Sequence, residues 1–115
     1  MLLGFGLLGH RVRADHLRRF VAANWISAAQ GGDSRLTVFD LDTRAQREAC
    51  RYPTNHVLGD SGRVACSFQT PNGGRIDVEG VVLDEGPDVD PESLDRRNGQ
   101  LVWRRGGVEH TSPLP

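Results

Sequence analysis

The chain has 115 residues with 14 arginines, no lysine and 15 acidic side chains, a formal charge of −1, and 37% hydrophobic residues. A length of this order holds one hydrophobic core, so residues 1–115 read as a single domain that needs neither a metal nor a disulfide scaffold to fold. A near-zero charge supplies no global attraction to nucleic acid or to an anionic membrane, and no motif in the sequence requires a cofactor.

Residues 1–9, MLLGFGLLG, are apolar and carry three glycines. The run is far shorter than the roughly 20 residues that cross a bilayer. His10, Arg11 and Arg13 follow it, whereas a secretory signal puts its positive charges first. Residues 1–13 therefore predict a retained arm or edge strand, apolar and then basic, in a cytoplasmic protein. Residues 1–9 offer a contact for a homo-oligomer, because an exposed Leu/Phe run needs covering.

The next segment predicts one long helix. Asp15 stands at an N-cap position, Leu17, Phe20, Val21, Trp25 and Ala28 recur at helical spacing, and Gly31-Gly32 provides a stop. Leu36 to Asp42 then reads as a strand. Thr43-x-x-Gln46 matches a capping box and predicts a short second helix from Arg44 to Arg51, halted before Pro53, with a strand as the alternative there.

From His56 the pattern changes to period two. Val57-Leu58, Arg63–Gln69 and Arg75–Leu83 predict a meander, with a tight turn at Asp60-Ser61-Gly62 and a hairpin at Asn72-Gly73. An acidic loop over 84–98 leads to a last strand, Gln100–Arg105, with Trp103. The sum is an α+β fold: an antiparallel sheet of four to six strands, a long N-terminal helix and a short second helix.

Three fragments look like pieces of enzymes, and each lacks the partners its chemistry needs. Leu36 to Thr43, with Asp40 and Asp42, resembles the first motif of the haloacid dehalogenase superfamily, where the first Asp is a nucleophile and both help hold magnesium. That chemistry implies a parallel doubly wound sheet, and only 73 residues follow Asp42. Gly59-Asp60-Ser61-Gly62 resembles the nucleophile segment of trypsin-like proteases, and Asn24 to Ala29 the stretch before their histidine. Gln30 stands where the imidazole would be, which leaves the serine without its base. Gly59-Asp60-Ser61 also resembles the first block of GDSL esterases, with no Asp-x-x-His to complete a triad. No catalytic residue is assigned. Cys50, His56, Cys66 and His110 lack the close pairing of zinc ligands, so no metal is expected. Cys66 alternates with Val64 and Phe68 and reads as a buried thiol, since a Cys50–Cys66 bond would stay reduced in a cytoplasm.

Charge is the remaining signal. Residues 1–75 hold 10 arginines and 6 acids, residues 76–115 hold 4 and 9. Asp84, Glu85, Asp88, Asp90, Glu92 and Asp95 form an acid run that suits a basic protein partner. Arg11, Arg13, Arg18 and Arg19 are the candidate anion contacts, without the exposed aromatics or module expected of a nucleic-acid binder. The sequence thus predicts a small accessory or inhibitory binding subunit, of an immunity-type or phage or bacterial assembly kind. The alternative is a ligand-binding or hydrolytic domain with a pocket between helix and sheet, to which Asp40, Asp42 and His56 would contribute.

Overall fold

Every element among the described residues is a β-strand, and within each sheet every strand pairs with its neighbour in sequence. The computed structural model describes the backbone of residues 9–27 and 33–114, and the side chains of 15–24 and 34–114. Strands β1 (Gly9–Leu17), β2 (Phe20–Ser27), β3 (Asp33–Asp40) and β4 (Gln46–Arg51) make a first sheet. A second holds β5 (Asn55–Leu58), β6 (Val64–Thr70), β7 (Gly73–Val78) and β8 (Val81–Gly86). The third has β9 (Val89–Arg97), β10 (Gln100–Arg105) and β11 (Val108–Pro113). All pairings are antiparallel.

The α+β expectation is therefore overturned: the described residues contain no helix. The segment expected as the long helix is a hairpin, β1 and β2 joined at Arg18-Arg19, with Arg18 in the left-handed region at φ 56°. Phe20 and Ala22 point into a core while Val21 and Ala23, on the other face of β2, are buried as well. A strand buried on both faces loses its alternation, and helical spacing can then be matched by accident. Asp15, expected as a cap, lies in β1.

The second expected helix is the hairpin β3–β4. Asp40 Oδ1 accepts the amides of Asp42 at 3.0 Å and Thr43 at 3.3 Å, and Arg44 takes φ 63°. Thr43 Oγ1 accepts the Ala45 amide at 3.3 Å, two residues on, so its hydroxyl closes a turn instead of capping a helix. Residues 84–98, expected as a loop, are the end of β8, a two-residue turn and the whole of β9. Arg75–Leu83, expected as one strand, is two, folded at Glu79-Gly80. Of the contact expected at residues 1–9, residues 1–8 fall outside the described residues and Gly9 opens β1.

The second sheet is the middle layer, and its strands serve two cores. Leu58, Val64 and Cys66 join Phe20, Ala22, Leu36 and Val38 of the first sheet. Val57, Ala65, Ile76 and Val78 join Val89, Leu94, Leu101, Trp103 and Leu114 on the third-sheet side. Strand β9 crosses the middle sheet: Val89 lies over Gly74 of β7, where a Cβ would collide with the Val89 carbonyl. Further along, Ser67 Oγ of β6 donates to Pro91 O at 2.6 Å, and Asn55 Nδ2 of β5 donates to Leu94 O at 2.7 Å.

Cys50 of β4 and Cys66 of β6 form a disulfide between the first two sheets. The buried thiol expected at Cys66 is thus one half of a cross-link: the pair was weighed from the sequence and expected reduced on the premise of a cytoplasm.

Candidate functional site

The first strands of the three sheets, β1, β5 and β9, converge on a cleft of about 190 Å³ lined by Asp15, His16, Leu17, His56, Val57, Leu58, Asp95 and Arg96. His56 is 1% exposed, because β5 turns it with Leu58 toward the first sheet. Its Nε2 lies 2.7 Å from Asp15 Oδ2. At the rim Asp60, in the β5–β6 turn, meets Arg96 at 3.0 Å and Arg18 at 3.5 Å. This carboxylate touches one arginine from each flanking sheet.

A second depression, about 290 Å³, lies on the outer face of the third sheet, lined by Asp90, Glu92, Ser93, Asp95, Arg97, Val102, Arg104 and Glu109. Local chemistry fixes its floor. Asp90 Oδ1 accepts the Glu92 amide at 3.0 Å, and Ser93 Oγ donates to Asp90 O at 2.6 Å while accepting the Arg104 amide at 2.8 Å. Asp95 Oδ1 accepts the Arg96 amide at 2.8 Å, and Arg97 donates to both Glu109 oxygens at 2.9 and 3.1 Å. Four carboxylates and two guanidiniums share the surface. Asp95 belongs to both hollows.

The acid run identified in the sequence divides here. Asp84 is half-buried; it accepts Trp103 Nε1 at 2.9 Å and is bridged by Arg105, which also meets Asp88 at 3.4 Å. Glu85 is exposed on β8. Asp90, Glu92 and Asp95 come together on the third sheet. Among the candidate anion contacts, Arg19 meets Asp40 at 3.0 Å and Asp42 at 3.9 Å, and Arg18 meets Asp60. Arg11 and Arg13 lie on β1, with side chains outside the described set.

Of the enzyme-like fragments, Leu36 to Asp40 belongs to β3 with Asp42 in the turn after it, Gly59 to Gly62 is the β5–β6 turn, and Asn24 to Ser27 belong to β2 while residues 28–29 lie outside the described residues. Asp40 closes the β3–β4 hairpin, and neither it nor Asp42 lines the His56 cleft. Ser61 borders a hollow lined, among the described residues, by Arg18, Arg19, Phe20 and Asp60, without an imidazole. With no helix present, the pocket expected between helix and sheet has no counterpart among the described residues. The His56–Asp15 pair had no local sequence signal, since 40 residues separate its members.

Charge also ties the first two sheets together. Arg47 of β4 donates to both Glu79 oxygens, at 2.9 and 2.8 Å, and to Gly62 O at 2.7 Å. Burial pushes the Glu79 pKa up, but the bonds from Arg47 and the Val64 amide outweigh it and hold the carboxyl below its usual range. Asp77 shows the reverse: burial raises its pKa and Arg75 offsets only part. No family model matches this chain, and neither the curated proteins nor the solved structures provide a match.

Proposed function

We propose that the protein is a binding module, an accessory or inhibitory subunit that meets a basic protein partner through the outer face of the third sheet. The observation that carries this reading is the gathering of Asp90, Glu92, Asp95 and Glu109 around one depression, with only Arg97 and Arg104 to balance them. Asp84 and Asp88 take no part in this face, because both are engaged by Arg105, which does not line the depression. The Cys50–Cys66 disulfide favours an oxidising compartment over the cytoplasm for the folded chain.

The test uses a partner recovered with the tagged protein from its host cells. Asp90→Asn, Glu92→Gln and Asp95→Asn are combined, since each replacement keeps an acceptor oxygen. The triple variant should melt like the parent, because exposed charges contribute little to stability. Its association should be slower at low salt and converge with the parent's once the Debye length, about 8 Å at physiological ionic strength, has shrunk. Equal association rates at every salt concentration would remove this face from the interaction.

A further inference from the structure

Cys66 of β6 lies directly opposite Asp77 of β7 in the antiparallel register. Side chains paired in this way share one face of a sheet, with Cβ atoms about 5 Å apart. The face is the one turned to the first sheet, where Cys66 is 0% exposed among Leu36, Val38, Leu58 and Val64. A carboxyl that is itself 4% exposed therefore stands beside one sulfur of the disulfide. The other sulfur is placed differently. Cys50 is half-buried on β4, the outermost strand of its sheet. Thiol–disulfide exchange begins when a thiolate attacks a sulfur that it can reach, and it ends with the other sulfur leaving as a thiolate. Cys50 is the sulfur open to attack, and Cys66 would leave into apolar surroundings that disfavour a charge.

We propose that the Cys50–Cys66 disulfide is a thiol-exchange site, opened at Cys50 by an external dithiol while Asp77 supplies the proton that Cys66 needs. One thiolate of the dithiol bonds to Cys50 Sγ, the bond between the two cysteines breaks, and its electron pair leaves with Cys66 Sγ, which takes the proton of the Asp77 carboxyl. The second thiol of the reagent, having given its proton to solvent, then attacks its own sulfur in the mixed disulfide and releases Cys50, which solvent protonates. The dithiol is oxidised by two electrons and the protein disulfide reduced by two. Burial favours the protonated carboxyl at Asp77 beforehand. Arg75, 3.1 Å from Asp77 Oδ2 and 4.8 Å from the centre of the Phe68 ring, is placed to balance the carboxylate afterwards. On the neighbouring strands Asp77 faces Cys66 and Val82, and β4 contributes Arg47, which Glu79 occupies.

The probe is dithiothreitol, added to the folded protein without denaturant, with the reduced fraction trapped by alkylation at intervals and each rate corrected for the reagent's thiolate fraction. The rate should be proportional to the reagent concentration, and the corrected rate constant should fall as pH rises and Asp77 loses its proton. Asp77→Asn should react about tenfold more slowly without that pH dependence, and Asp77→Glu should recover part of the rate, which a merely structural carboxyl would not bring about. Glutathione, a monothiol, should leave its mixed disulfide on Cys50 and a free thiol at Cys66 in the parent, a readout that needs no variant to fold. A rate independent of reagent concentration, or no reduction of the folded protein, would mean that the bond opens only through unfolding and would overturn the proposal. A mixed disulfide found on Cys66 would overturn the order of attack. A corrected rate that ignores pH in the parent, or that is the same in the parent and Asp77→Asn, would overturn the role of Asp77.

Discussion

The middle sheet is held to its two neighbours by partly different chemistry. Toward the first sheet the apolar core of Leu58 and Val64 with Phe20, Ala22, Leu36 and Val38 is supplemented by charged and covalent links: Asp15 with His56, Arg18 with Asp60, Arg47 with Glu79, and the Cys50–Cys66 bond. The composition matches, since residues 9–51 hold eight arginines and five acids while residues 55–86 hold two and five. The uneven charge along the sequence is thus partly consumed inside the molecule. Toward the third sheet an apolar core centred on Leu94, Leu101 and Trp103 is joined by Asn55 and Ser67 donating to carbonyls of β9 and by the ion pairs Asp60–Arg96 and Asp84–Arg105. Both seams carry ion pairs that salt screens, and the first also carries a bond that reductant breaks. The face proposed to bind a partner is therefore mounted on the seam that reductant leaves intact.

The strongest way to break that contrast is to empty the core of the third-sheet seam. Trp103 is 5% exposed, and Trp103→Ala should cost about 3–5 kcal/mol, read as a lower urea midpoint. The cost includes the hydrogen bond to Asp84, left without its indole donor. A loss below about 1 kcal/mol would mean that the third sheet docks by some other means.

Reduction should act on the opposite seam. The disulfide closes a 16-residue separation, for which the chain-entropy estimate is roughly 3 kcal/mol. Melting with and without reductant, and the variant Cys50→Ser, should agree on this loss. Amide exchange should quicken first in β3 and β4, while β9 and β10 keep their protection. Equal loosening of both seams would show one cooperative unit without the division drawn here.

How much of this was legible depended on local chemistry. The β6–β7 hairpin was readable at Asn72-Gly73, because its turn residues announce themselves: Thr70 Oγ1 accepts the Asn72 amide and donates to Gly73 O. The Arg18-Arg19 turn carries no glycine, asparagine or aspartate, and Phe20-Val-Ala-Ala beyond it is buried on both faces, so alternation was lost and a helix was inferred. Thr43-x-x-Gln46 imitated a cap because the same hydroxyl chemistry closes turns. The acid cluster was readable as composition. Its division was not, because Asp84 is occupied by Trp103, 19 residues away. The two cysteines made their pairing legible, but not its oxidation, which the assumed compartment decided wrongly.

The smallest expected effect tests the first-sheet seam by pH. Glu79 has a folded pKa below its unfolded one, so its contribution is complete above the unfolded value and is lost as pH falls through the folded one. Asp77 has a folded pKa above its unfolded one, so the folded state binds that proton more tightly and gains stability relative to the unfolded chain as pH falls through the same region. The two carboxyls oppose each other on the acid side. Glu79→Gln should lower stability at neutral pH by about 1 kcal/mol, since Arg47 is left with a neutral partner at a part-exposed site, and should flatten the acid limb. Asp77→Asn should steepen it, because the compensating proton uptake is gone. Urea midpoints measured from pH 7 to about 3 for the parent and both variants separate the two contributions. Parallel curves for all three would mean that Arg47–Glu79 and Arg75–Asp77 are both screened surface pairs, and that the first seam rests on its disulfide and its apolar residues instead.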